Sequence, residues 1–232
     1  MRLGGLQKLT LLDFPGHVAC TVFTVGCNWR CPFCHNAALA CGNADGFDPL
    51  DEDTFFTFLQ KRRGVLDGVA ITGGEPLLWQ DIGAFMARIR SLGYAVKLDT
   101  NGTNPFLLKE LCEAGLCDMV AMDIKNSPDK YAETCGVGGV DLDAIRESIA
   151  VLQTGKVPFE FRTTVVDELH DAEDFEKISR MIQGDEPYFL QAFVDSGQLM
   201  SDGWHAPTKE KMKQFREICL PLVPKTELRG VS

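Results

Sequence analysis

Three cysteines stand close together near the start of the chain, in Cys27-Asn28-Trp29-Arg30-Cys31-Pro32-Phe33-Cys34. Their spacing, C-x3-C-x2-C, places three thiolates on one loop, within reach of three corners of an iron–sulfur cube. Structural clusters of that kind take four cysteines. Three therefore leave one iron open to a ligand that is not protein. Two other readings compete. A zinc site completed by His35 or Cys41 is one, although structural zinc favours two separated C-x2-C-type pairs. Accidental core thiols are the other; these are common singly and uncommon three at a time.

Further groups that could do chemistry recur along the chain, mostly just after an apolar run. Residues 68–72 (GVAIT) lead into Gly73-Gly74-Glu75-Pro76, and residues 94–98 lead into Asp99-Thr100-Asn101-Gly102. Residues 118–124 close on Met122-Asp123-Ile124-Lys125. Asp123 and Lys125 are two apart and so share one face of a strand. Arg162 lies within a β-branched run at 159–166, where an arginine needs a partner. Plainer readings stand beside these: a Gly-Pro turn, an Asn-Gly turn with Asp99 capping the following helix, and a surface ion pair.

The elements that must position these groups alternate in type. Strand patterns cover 17–25, 68–72, 94–98, 118–124, 159–166 and 188–193. Helical patterns cover 50–63, 82–92, 106–114, 141–152, 172–182 and 208–219, with Asp141 as an N-cap and Gly115 at a C-terminal turn. Strands joined by helices pair in parallel with right-handed crossovers. A closed eight-unit barrel needs about 250 residues, so about six units in 232 residues predict an α/β fold, a partial (β/α)6 TIM-like barrel. One domain is expected over 1–232, with a core at about 17–193 and a C-terminal helical segment at about 205–232. Chemistry in such folds sits at the C-terminal ends of the strands, where most of these clusters fall.

The motif C-x3-C-x-aromatic-C after the first strand, followed by Gly-Gly-Glu-Pro after the second, resembles the radical S-adenosylmethionine (radical SAM) superfamily. Residues 6–36 (LQKLTLLDFPGHVACTVFTVGCNWRCPFCHN) are similar to the activating proteins of anaerobic ribonucleoside-triphosphate reductase and, more broadly, to glycyl-radical-enzyme activases. The resemblance runs from Leu6 to about Phe193. It implies one [4Fe–4S] cluster on Cys27, Cys31 and Cys34, with SAM bound to the open iron through its amine and carboxylate. Gly73, Gly74, Glu75 and Pro76 are then expected to present backbone to the amine, the glycines permitting close approach. Asp99 and Thr100 would meet the same amine, since a carboxylate suits an ammonium. Lys125 would pair with the SAM carboxylate, and Arg162 would approach the nucleoside. Asp99 with Asp123 would offer a site for a monovalent cation. Some activases carry a ribose-binding histidine after the last core strand; here Gln191 stands in its place, a departure from the pattern, and would donate to a ribose hydroxyl.

The implied chemistry is one-electron reduction of SAM to a 5′-deoxyadenosyl radical, which takes a hydrogen atom from a glycine α-carbon of a partner. That partner is a glycyl radical enzyme, with anaerobic ribonucleotide reductase as the first candidate and flavodoxin or ferredoxin as the electron donor. About fifteen residues separate Cys34 from Leu50, with only Cys41 among them, which leaves no room for a ferredoxin-like insert. A single cluster is expected. Cys20, Cys112, Cys117, Cys135 and Cys219 read as plain thiols.

Composition narrows the partners. A net charge of −10 without a basic stripe argues against nucleic acid. No run approaches the roughly 20 apolar residues that span a bilayer. Nine cysteines, an odd number with no export signal, point to a reducing compartment, the cytoplasm. Two other functions compete. A small radical SAM enzyme resembling 7-carboxy-7-deazaguanine synthase would usually show Gln-Gly-Glu-Gly before its first strand; Leu12-Asp13-Phe14-Pro15-Gly16 stands there instead. The other is a non-catalytic metal-binding scaffold. Trp204 and His205 read as part of a packed C-terminal segment.

Overall fold

Successive side chains of each strand point to opposite faces of the sheet. On the strand that carries Arg162, Phe159, Phe161, Thr163 and Val165 share one side, and Glu160, Arg162 and Thr164 share the other. The computed structural model describes residues 1–42, 50–195, 197 and 199–231. Part of the connection in which no insert was expected, residues 43–49, lies outside them.

In chain order the elements are β1 (Leu3–Thr10), β2 (Ala19–Thr24), α1 (Ala37–Cys41), α2 (Glu52–Lys61), β3 (Gly68–Gly73), α3 (Ile82–Ser91), β4 (Ala95–Thr100) and α4 (Pro105–Glu113). Then come β5 (Met119–Asp123), α5 (Tyr131–Thr134), α6 (Leu142–Gln153), β6 (Phe159–Val165), α7 (Ala172–Met181), β7 (Tyr188–Ala192), α8 (Lys209–Cys219) and β8 (Thr226–Arg229). One sheet holds the strands in the order β1 to β8. β1 runs antiparallel to β2, and every later neighbour is parallel. The six expected strand–helix units are present, from β2 to β7, in an open, partial-barrel arrangement.

Local chemistry starts the helices where expected. Asp141 caps α6 by accepting from the Asp143 and Ala144 amides, and Asp171 and Asp174 form a reciprocal capping box on α7. Gly115 takes the left-handed conformation just past α4, at φ +65°. Asp99 caps nothing; Asn104 caps α4 through the Leu107 amide, with Pro105 in the first helical position.

Three differences from expectation matter. β1 is a strand although its Gly4-Gly5 pair weakens the pattern; a Cβ on Gly4 would stand 2.1 Å from Leu39 Cδ2, so α1 packs where a side chain would be. β4 extends past Leu98 to Thr100, because Asp99 and Thr100 pair with Ala121 and Met122 of β5. The C-terminal segment at 205–232 is not all helical. It ends in β8, whose Arg229 bonds both oxygens of buried Glu160 at 3.1 and 3.0 Å and lies 3.3 Å over the Phe189 ring. Polar partners inside the sheet hide that strand from an apolar-alternation reading.

The core includes the aromatic contacts of α2 and α3. Phe55, fully buried, stacks on Phe85 at 5.4 Å and meets Phe56 edge-on at 5.3 Å. Replacing Phe55 by alanine is expected to cost about 3–5 kcal/mol, as large aromatic truncations do. Urea denaturation measures it; a cost under about 1 kcal/mol would contradict this account of the helix layer.

Candidate active site

The cysteine loop between β2 and α1 is pinned by backbone. Gly26 and Cys27 amides donate to the Leu39 and Ala40 carbonyls of α1 at 2.8 and 3.1 Å. The Arg30 amide donates to the Cys135 carbonyl at 2.8 Å, and the Cys34 amide donates back to Cys31 at 3.0 Å. Asn28 ties the loop to the end of β4, accepting from Asn101 at 2.8 Å and donating to Thr103 at 3.0 Å. Burial pushes the Cys27 thiol up to about 11 and raises Cys34. Cys31 is brought down to about 7, chiefly by its thiol neighbour Cys135 and also by the charge of Lys125.

The turn after β3 fits against that loop without side chains. A Cβ on Gly74 would lie 2.0 Å from the Gly26 carbonyl oxygen; one on Gly73, at φ +117°, would lie 2.4 Å from the Thr24 amide nitrogen. The glycines are therefore required by the cysteine loop itself. Backbone bonds complete the joint, from the Gly74 amide to Thr24 at 2.9 Å and from the Glu75 amide to Gly26 at 2.8 Å. The Glu75 carboxyl is buried and receives the Leu77 amide at 2.9 Å, the Thr100 hydroxyl at 2.7 Å and the Asn101 amide at 2.7 Å. It locks the end of β3 to the end of β4. Burial still outweighs these donors and pushes Glu75 up to about 7.

Across β4, β5 and β6 runs a row of alternating charges. Lys97 pairs with Asp99; Arg162 bonds Asp99 at 3.0 Å and Asp123 at 3.0 Å; Asp123 bonds Lys125 at 2.9 Å. Register places Asp123 directly beside Arg162. Burial opposes the charge on Asp123, but Lys125 and Arg162 hold its carboxyl well below the usual range. Burial likewise opposes the Lys125 and Arg162 cations, and their carboxylate neighbours raise both. Asp99 and Asp123, the two carboxylates expected beside a monovalent cation, share the Arg162 guanidinium.

These groups line one cavity of about 210 Å³. Cys27, Cys31, Cys34, Gly73, Gly74, Glu75, Asp99, Thr100, Asp123, Lys125 and Arg162 are on its wall. Pro76 and Gln191 are not: Pro76 begins a buried 3-10 turn, and Gln191 lies on β7 opposite Thr164, which does reach the wall. Asn101, Asn36 and Thr72 also line it and were not singled out from the sequence, and His35, considered there only for a zinc site, lines it too. The Asn-Gly turn did mark Asn101, as geometry rather than as a site. Lys125 and Asp123 do form an ion pair, in the cavity wall rather than on the outer surface.

The donor set suits the expected cofactors. Among the described residues no three His, Cys, Asp or Glu side chains close on a single-ion site. Three thiols spread along a cavity wall suit a polynuclear centre better than one ion. Beside them, carboxylates face an amine's chemistry and Lys125 faces a carboxylate's.

Glu75 carries a pH signature. Its folded-state value lies above the ordinary 4.5, so the stability it lends is full below about 4.5 and is lost as pH rises through about 7. Glutamine at this position does not titrate. The destabilisation caused by Glu75→Gln in cofactor-free protein is therefore expected to be largest near pH 5 and smaller at pH 8. Denaturation at both pH values checks this, and a cost that grows with pH contradicts it.

Comparison with known proteins agrees with this geometry. The radical SAM superfamily signature matches residues 21–182. A Methanocaldococcus jannaschii protein named as a glycyl-radical enzyme activating enzyme is 34% identical over 197 residues, covering 82% of this chain and 79% of that protein. A Thermococcus kodakarensis protein named as a GTP 3′,8-cyclase is 30% identical over 159 residues, covering 67% of this chain and 50% of its own length. A domain of pyruvate-formate lyase-activating enzyme from Bacteroides vulgatus shares the fold, with a TM-score of 0.56 at 19% identity, over 71% of this chain and 99% of that one. Among the described residues no helix is long and apolar enough to cross a membrane. With its cysteine loop, its glycine turn and its charged strand ends on one wall, the chain belongs to the radical SAM superfamily, among the relatives of glycyl-radical enzyme activating enzymes.

Proposed function

We propose that this protein is an activase that installs a glycyl radical on a partner enzyme, most directly anaerobic ribonucleoside-triphosphate reductase. The observation that carries the reading is the shared wall: three cluster-type thiols and a carboxylate–cation row face one cavity. When bound, the [4Fe–4S] cluster and SAM supply an electron and a 5′-deoxyadenosyl radical.

The chain's own residues bind and orient. Cys27, Cys31 and Cys34 hold three irons. Lys125 spends one of its three N–H donors on Asp123 and keeps two for the SAM carboxylate. Asp99 keeps lone pairs for the amine while Lys97 and Arg162 hold the carboxylate in place. Thr100 and Glu75 fix the strand ends against which the amine sits. Arg162 presents its remaining edge toward the nucleoside. Trp29 and Phe33, both buried, narrow the space available to water. The electron comes from flavodoxin or ferredoxin, the chain works as one domain over 1–232, and the compartment is the reducing cytoplasm, in keeping with nine free thiols.

A small-molecule substrate is the second reading, favoured by the similarity to GTP 3′,8-cyclases. Against it, the lysine and arginine on the cavity wall, Lys125 and Arg162, are already assigned to SAM, whereas a triphosphate calls for further cations.

Anaerobic reconstitution with iron, sulfide, reductant and SAM, followed by addition of the reductase, tests the proposal. An EPR doublet from a glycyl radical is expected, and none from Cys31→Ala. Deoxyadenosine without a protein radical would favour the small-molecule reading. Lys125→Met is expected to weaken SAM binding about 10- to 100-fold, the weight of one or two charge-assisted hydrogen bonds, with iron content unchanged. Unaltered SAM affinity would remove Lys125 from the site.

A further inference from the structure

Lys125 lies beyond the end of β5. One residue earlier the sheet still holds the chain: the Ile124 amide donates to the Arg162 carbonyl at 2.8 Å, and the Thr163 hydroxyl donates to the Ile124 carbonyl at 2.7 Å. From Lys125 onward the fastening passes to the segment between β6 and α7. Nε2 of His170 lies 2.9 Å from the Lys125 carbonyl oxygen. The Asn126 side-chain amide donates to the Leu169 carbonyl at 2.9 Å and to the Thr134 hydroxyl at 2.8 Å. The Ser127 hydroxyl donates to Asp174, in the first turn of α7, at 2.7 Å. Three consecutive residues are thus tied to one neighbouring segment. His170 itself is buried, packs against the Phe175 ring at 5.8 Å and stands off the cavity wall.

We propose that His170 is a positioning residue for SAM binding, fixing the backbone of Lys125 so that its ammonium is aimed at the SAM carboxylate. This rests on the reading of Lys125 as the partner of that carboxylate, and on nothing about the partner enzyme.

The direction of the hydrogen bond follows from the atoms it joins. A carbonyl oxygen only accepts, so Nε2 carries the proton that lies against Lys125. Nδ1 is then an acceptor and takes the Val166 amide at 3.1 Å. The other neutral tautomer would set a bare Nε2 lone pair against the Lys125 carbonyl. One ring therefore links the backbone just after β6 to the backbone just after β5. Lys125 depends on such a link because its stem is long and flexible. Asp123 holds the tip at 2.9 Å, and His170 holds the base. A donor is aimed only when its geometry is fixed, and a shift of about 1 Å in a positioning group can be felt as a large loss. A histidine that only filled the core would cost stability when replaced, but its effect would not depend on the Lys125 side chain.

The test uses the full chain with its cluster reconstituted anaerobically, and reads SAM affinity beside iron and sulfide content. His170→Leu removes the donor and is expected to weaken SAM binding about 3- to 10-fold, the weight of one hydrogen bond, with iron content unchanged. His170→Gln, whose side-chain amide offers a donor toward the same carbonyl, is expected to recover most of the affinity. With Lys125→Met already in place, adding His170→Leu is expected to change SAM affinity by less than about 2-fold, because the group being aimed is gone. Should His170→Leu not fold, His170→Phe keeps a ring against Phe175 without the donor and carries the same expectations. Wild-type SAM affinity in His170→Leu or His170→Phe overturns the proposal. So does an equal loss with and without the Lys125 side chain, or a loss of iron alongside SAM, since either marks a general disturbance of the fold. If Lys125→Met alone leaves SAM affinity unaltered, the reading of Lys125 beneath the proposal fails, and that result is told apart from failure of the His170 link alone.

Discussion

Arg162 stands between two aspartates on two different strands, and the site is organised around that bridge. β4 delivers Asp99, β5 delivers Asp123, and β6 delivers the guanidinium that both carboxylates share at 3.0 Å. Lys97 and Lys125 close the row at either end. Each charge is partly or fully withdrawn from water, so each depends on its neighbour. Removing one partner of such a pair costs about 3–5 kcal/mol, because a buried charge is left uncompensated. The row therefore stiffens three strand ends and leaves a surface of fixed, mixed charge where a zwitterion such as the methionyl part of SAM can lie.

The second constraint is the joint between the cysteine loop and the turn after β3. Gly73 and Gly74 are fixed by contact with Thr24 and Gly26, not by a ligand alone. That joint sets the distance from the three thiols to the β3 end, and Glu75 carries it on to β4 through Thr100 and Asn101. Thiols, turn and charge row thus form one connected wall. A change at any glycine would move the cysteines relative to the charges, which is why the motif reads as glycine twice in succession.

Much of this was legible in the sequence, and the part that was not has identifiable physical causes. The strand–helix alternation, the C-x3-C-x2-C spacing and the Asp-x-Lys face depend on local periodicity, which a sequence displays. β8 stayed hidden because its Arg229 is satisfied by Glu160, nearly 70 residues earlier, and such a long-range pairing leaves no local pattern. β1 stayed hidden because its glycines serve a contact with α1. Gln191 was placed at the site by sequence position alone; the register of β7 sets it beside Thr164 on the site face, one strand beyond the cavity wall. The meeting of Arg162 with both Asp99 and Asp123 was not legible, because a sequence does not tell which charges meet.

The central claim is that SAM binds through its amine and carboxylate to an iron left open by Cys27, Cys31 and Cys34. Electron–nuclear double resonance on the reduced, reconstituted protein with SAM labelled by ¹⁵N at the amine and ¹⁷O at the carboxylate addresses it most directly. Hyperfine coupling from both labels to the cluster is the predicted result. Labels that show no coupling, with a cluster spectrum unchanged by SAM, would contradict it.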